Sequence, residues 1–66
     1  MITKEQAKAA EHLAFDLEEI GDELSMAVAK AEKVSESVRV RVLAARKAVT
    51  GIVEYLAENY IYEAEE

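Results

Sequence analysis

The chain has no cysteine, no proline, no tryptophan, one histidine and two glycines in 66 residues. Without cysteine there is no disulfide framework, and a lone His12 without cysteine leaves the usual zinc ligand sets incomplete. Missing proline and scarce glycine remove the common breakers of helices, and the twelve alanines favour helix throughout. Long hydrophobic runs are absent too. The longest, such as Val42 to Ala45, has four residues, too few for a secretory signal or a membrane span. A single all-helical domain over residues 1–66 is expected, soluble and cytoplasmic. At this size a one-chain core is marginal unless something adds to it. With disulfides and metals removed, self-association is the expected device.

The net charge of -6 argues against duplex nucleic acid and anionic membrane as partners. Its distribution is uneven. Residues 1–29 carry two basic and seven acidic side chains, and residues 48–66 carry five acids and no base. Between them, residues 30–47 hold six of the eight basic residues, Lys30, Lys33, Arg39, Arg41, Arg46 and Lys47, against Glu32 and Glu36.

Thr3 and Gln6 have the spacing of a capping box, which predicts a helix start. Apolar residues then follow at Ala10, Leu13, Leu17, Ile20, Leu24, Ala27, Ala31 and Val34, in alternating steps of three and four. This is a heptad seam suited to a partner helix, and its alanines permit close approach. Gly21 followed by Asp22 is the one place where this arm could kink, but the seam runs through it in register. After Val34 two consecutive steps of four lead to Val38 and Val42, before Ala45, Val49, Ile52, Leu56 and Tyr60 resume the rhythm. A turn at residues 35–37 explains the break, with Ser35 or Ser37 capping a second helix. The expectation is an antiparallel helical hairpin, arm one over about 3–34 and arm two over about 38–62, each arm some 45 Å long. The alternation of Val38, Val40 and Val42 with Arg39 and Arg41 offers a strand instead, as in a ribbon-helix-helix DNA binder. Too little chain follows it for two helices, and Leu43 to Ala48 favours helix. The acidic end of the tail is expected to fray.

Phe15, Val28, Val40, Leu43 and Val53 fall off the seams. With Gly51, whose helix-interior position suggests close backbone approach, they form the expected oligomer interface, joining hairpins into a four-helix or larger bundle.

No catalytic constellation appears. His12, Asp16, Glu19 and Glu23 line one side of the first arm, but as a solvated acidic face, without the Glu-x-x-His motifs of carboxylate metal sites. No serine is paired by sequence with a base. The chain is expected to be no enzyme and to need no cofactor. The basic cluster carries the functional expectation. A reversal at residues 35–37 brings Lys30, Lys33, Arg39 and Arg41 to one tip, where Arg forks and nearby serines suit a phosphate. Arg46 lies further along the arm, within reach of a ligand lying between subunits. Tyr55 and Tyr60 could stack on a base, although covering a bundle end is the plainer role for tyrosines there.

Three stretches resemble the helical-hairpin domain of phage anti-CBASS and anti-Thoeris sponge proteins: Glu23 to Ala29, the basic turn, and Ala44 through Thr50-Gly51-Ile52-Val53. The opening Ile2-Thr3-Lys4-Glu5-Gln6 is similar to that family's entry. The resemblance implies an oligomeric hairpin in the host cell cytoplasm that sequesters an anionic cyclic nucleotide signal between subunits without cleaving it. Arg46 is one residue out of step with the family's arginine, so no binding residue is carried over by motif. From the charge distribution alone a second expectation stands beside this one. It is an acidic interaction module, an inhibitor, adaptor or nucleic-acid mimic that docks on a basic protein.

Overall fold

The computed structural model describes residues 2–62; the tail expected to fray, residues 63–66, lies outside the described residues. Two helices form an antiparallel hairpin. Helix α1 spans Lys4–Glu32 and α2 spans Glu36–Leu56, continuing into a π-helical turn at Ala57–Ile61. The rod measures 46 × 14 × 13 Å, and no strand occurs among the described residues.

Local sequence sets both helix starts. Thr3 Oγ1 accepts from the Gln6 amide at 3.0 Å and Gln6 Oε1 accepts from the Thr3 amide at 3.0 Å, a complete capping box. Ser35 is the second cap, its hydroxyl accepting from the Val38 amide at 3.2 Å. The reversal therefore occupies Lys33 to Ser35, two residues earlier than the spacing predicts, and Glu36 and Ser37 already belong to α2. The turn dispenses with glycine because no residue in it adopts positive φ: Lys33 stays right-handed helical and Ser35 is extended. The Ala31 carbonyl accepts from the amides of Val34 and Ser35, closing the end of α1.

Helix α1 runs unbroken through Gly21, whose carbonyl accepts a 3.0 Å bond from the Ser25 hydroxyl. A Cβ there would lie 3.9 Å from Val49 Cγ1, so Gly21 faces α2 at the level of Val49. Gly51 differs: a Cβ there would meet nothing within 4 Å. No close approach within the hairpin explains it.

The helices meet on a seam rotated from the expected one. Ala10, Ala14 and Ala31 are buried at 5–7% exposure, and Leu17, Gly21, Leu24 and Val28 are half-buried beside them. Positions 10, 17, 24 and 31 are as expected, but the seam is completed by Ala14, Gly21 and Val28. Leu13, Ile20 and Val34 are 44–72% exposed. Along α2 and the π-helical turn, Val42, Val49, Leu56 and Tyr60 are half-buried as expected, joined by Leu43 and Val53, while Val38, Ala45 and Ile52 remain exposed. The small side chains went inward because alanine and glycine let the backbones approach more closely than leucine and isoleucine would. The π-helical turn was not foreseen. Within it Asn59 Nδ2 donates to the Tyr55 carbonyl at 2.9 Å, taking up a group that the widened turn releases.

Candidate functional site

The expected ligand residues divide between two ends of the rod. Lys30 lies in the last turn of α1, Lys33 caps it, and Arg39 and Arg41 stand in the first turns of α2. The reversal thus brings these four to the tip. Tyr55 and Tyr60 sit at the other end, their rings 6.4 Å apart and tilted by 53°. Arg41 and Tyr55 are separated by fourteen residues of helix, about 21 Å. One hairpin therefore does not assemble cations and aromatic rings into a single site.

At the tip, Arg39 is already engaged. Its Nε donates to Glu36 Oε2 at 3.0 Å and its Nη2 to Glu36 Oε1, a forked pair within one turn of helix. The hydrogen bond from Arg39 holds the Glu36 carboxyl below the usual carboxylate range. The i, i+3 spacing of the two was the readable signal for this pair. It is the only ion pair among the described residues. Lys30, Lys33 and Arg41 are exposed there. Three surface depressions lie elsewhere on the hairpin.

One depression of about 400 Å³ runs along one side of the hairpin, lined by Leu17, Gly21, Val49 and Val53. Arg46 and the hydroxyls of Ser25 and Thr50 line it together with Glu18 and Asp22. One guanidinium facing two carboxylates is a poor cradle for an anion. Arg46 also borders a smaller depression, about 290 Å³, on α2 with Leu43, Lys47, Thr50 and Glu54. Among the described residues no group of three His, Asp or Glu side chains is placed to hold a metal ion, and no helix is long and apolar enough to cross a membrane.

The opposite side of the hairpin is apolar. Leu13, Ile20, Ala27 and Val34 repeat every seven residues on α1, each one residue before a seam position or its continuation, and Val38, Ala45 and Ile52 do the same on α2. Because the helices are antiparallel and pack through the adjacent positions, these two stripes emerge on the same side, away from Glu18, Ser25 and Thr50. No larger side chain than alanine is buried anywhere in the described hairpin. Of the residues expected at an oligomer interface, Val28, Leu43 and Val53 are half-buried by the hairpin itself, and Phe15, Val40 and Gly51 are exposed on its outer surfaces. The Leu13 to Ile52 face was missed because its members had been assigned to the seam.

Comparison with known proteins adds no relative: no family model, no curated protein and no solved structure matches the chain.

Proposed function

We propose that the chain is a non-catalytic binding module that works as an assembly of helical hairpins and captures an anionic, phosphate-bearing ligand of the cyclic nucleotide class. The observation that supports assembly is the core, which among the described residues consists of three buried alanines while ten large apolar side chains stand exposed. A 66-residue chain without disulfide or metal needs more buried area than that to stay folded. Support for the ligand class comes from the tip, where Lys30, Lys33 and Arg41 offer unpaired positive charge and Ser35 and Ser37 offer hydroxyls. Tyr55 would supply a stacking surface from a neighbouring subunit. Calorimetric titration with a panel of cyclic di- and trinucleotides tests this reading. Saturable heat that disappears in Lys30→Ala/Arg41→Ala is expected, and no heat at micromolar concentrations would reject it.

A second reading rests on α1. Asp16, Glu18, Glu19, Asp22 and Glu23 are all exposed, and none of them is in an ion pair among the described residues. They make an acidic strip suited to a basic protein surface. A pulldown that recovers one basic protein, and loses it when these five are neutralised, would favour docking over ligand capture.

A further inference from the structure

The apolar face has a spacing that selects its own partner. Consider a second hairpin laid face to face on the first, related by a two-fold axis across the rod, so that tip meets open end. Helix α1 then lies antiparallel on the partner's α1, and α2 on the partner's α2. Leu13 comes opposite the partner's Val34, and Ile20 opposite the partner's Ala27. On α2, Val38 meets the partner's Ile52, and Ala45 meets its own copy. In three of these four pairs a larger side chain faces a smaller one, as interdigitation favours, and the fourth sets alanine on alanine at the axis. The α1 stripe is centred between residues 23 and 24 and the α2 stripe at Ala45. Since Gly21 lies level with Val49, these two centres fall within about two residues of the same height on the rod. One two-fold axis therefore serves both stripes.

Charge distinguishes this arrangement from the tip-to-tip one. The rim of the face on α1 carries Asp16, Glu23 and Lys30, seven residues apart and exposed. Reversal brings Asp16 to the partner's Lys30 on both sides of the axis, two attractions set against one repulsion between Glu23 and its own copy at the axis, whereas tip-to-tip packing sets Lys30 against the partner's Arg41. Area agrees with a dimer. The chain exposes 5218 Å², where a compact 7.3 kDa monomer exposes about 4,200 Å². The excess, about 1,000 Å², is close to the ~800 Å² that one partner contributes to a standard interface.

We infer that the face formed by Leu13, Ile20, Ala27, Val34, Val38, Ala45 and Ile52 binds a second copy of this chain in reverse orientation, closing an antiparallel four-helix bundle. The inference rests on the assembled-hairpin reading and specifies its geometry. It also brings Tyr55 of one protomer level with the partner's tip, near Ser35 to Val38, joining the two halves of the ligand site that a single hairpin keeps apart.

Because the chain has no cysteine, single cysteines report the geometry directly. Ala45→Cys should cross-link to itself under mild oxidation. Spin labels on Lys8→Cys should stand about 50 Å apart, some sixteen residues from the axis on each protomer. Tip-to-tip packing would place them within roughly 20 Å. In sedimentation, Ile20→Lys and Ile52→Lys should each weaken the dimer at least tenfold. Lys30→Glu should weaken it and Asp16→Lys/Lys30→Glu restore it, a rescue that does not depend on either variant being well folded alone. Labels at the short distance, or failure of Ala45→Cys to cross-link within an intact dimer, would overturn the orientation. Undiminished association of both lysine variants would overturn the face and leave assembly standing. A wild-type monomer at millimolar concentration would overturn both the inference and the reading beneath it.

Discussion

Helix α1 of this hairpin has two apolar flanks, and they differ in a way that reverses the usual order of a folded protein. The inner flank, facing the other helix, is Ala14, Gly21 and Val28 on α1. The outer flank, one residue earlier, is Leu13, Ile20 and Ala27. At the first two levels the small side chain is inside and the large one outside; at the third, Val28 lies inside and Ala27 outside. A monomer would place its leucines and isoleucines at the centre, because they bring the most apolar area out of water. A hairpin that keeps Leu13 and Ile20 outside has an inner contact suited to close backbone approach and an outer contact left for another molecule to cover.

The strongest way to break this comparison is to put the same charge on each flank. Ala14 is 7% exposed and Ile20 is 44% exposed. Ala14→Asp buries a carboxylate with no partner, a cost of at least about 3 kcal/mol, and should abolish the helical circular dichroism signal at every protein concentration. Ile20→Lys leaves the inner contact intact. Its effect should depend on concentration: the wild-type melting temperature rises with protein concentration, and that of the variant does not. Equal behaviour of the two variants would mean that the flanks are not distinct.

A smaller perturbation moves the point from which the flanks are counted. Ser35 fixes where α2 begins, through its bond to the Val38 amide, and so decides which residues of α2 face inward. Ser35→Ala should cost about 1 kcal/mol. Ser37→Ala should cost little, since Ser37 already lies in the first turn of α2 and its hydroxyl makes no hydrogen bond among the described residues. Thermal melts of the two would separate them, and the opposite order would place the turn where the spacing alone put it.

The two glycines test the flanks by a single methyl group each. A Cβ at Gly21 meets Val49 Cγ1 at 3.9 Å, ordinary contact, and one at Gly51 meets open space. Both residues are helical, so alanine should stabilise at either position by about 1 kcal/mol, raising the melting temperature by about 4–8 °C. Gly51 tests more than propensity. It lies on the back of α2, away from both flanks, whereas the sequence pattern counts it as an oligomer contact. A fall in melting temperature for Gly51→Ala would restore it to an interface.

Much of this architecture is legible in the residues, and the illegible part has a definite cause. Thr3 and Gln6 mark the first cap without ambiguity, and the broken rhythm at Val34, Val38 and Val42 marks the reversal. Ala10, Leu17, Leu24 and Ala31 belong to either possible seam, so they could be placed. The spacing puts Leu13 and Ile20 inside where Ala14 and Gly21 lie instead, because the apolar stripe is wider than one helix can cover and size favours the wrong member of each pair. The charges at the tip follow from the fold alone. The loss of Arg39 to Glu36 depends on rotamers that the charge pattern does not reveal, although their spacing permits it.

That ion pair gives the smallest expected effect. Arg39 stands at the tip end of the inner flank, partly covered, with Val38 beside it on the outer flank. Glu36 anchors its guanidinium there, and the hydrogen bond from Arg39 lowers the Glu36 pKa; desolvation opposes it, and the attraction between the charges adds the smallest share to the lowering. A carboxyl whose folded pKa is depressed contributes stability above the ordinary carboxylate range and loses it as pH falls through the folded value. Glu36→Gln should therefore melt slightly below wild type at pH 7, and the difference should shrink as pH falls below the ordinary carboxylate range. Both groups face solvent, so added salt should shrink it too. If the difference persists in acid or in salt, Glu36 acts on the end of α2 through something other than its charge, and Arg39 becomes available to a ligand at the tip after all.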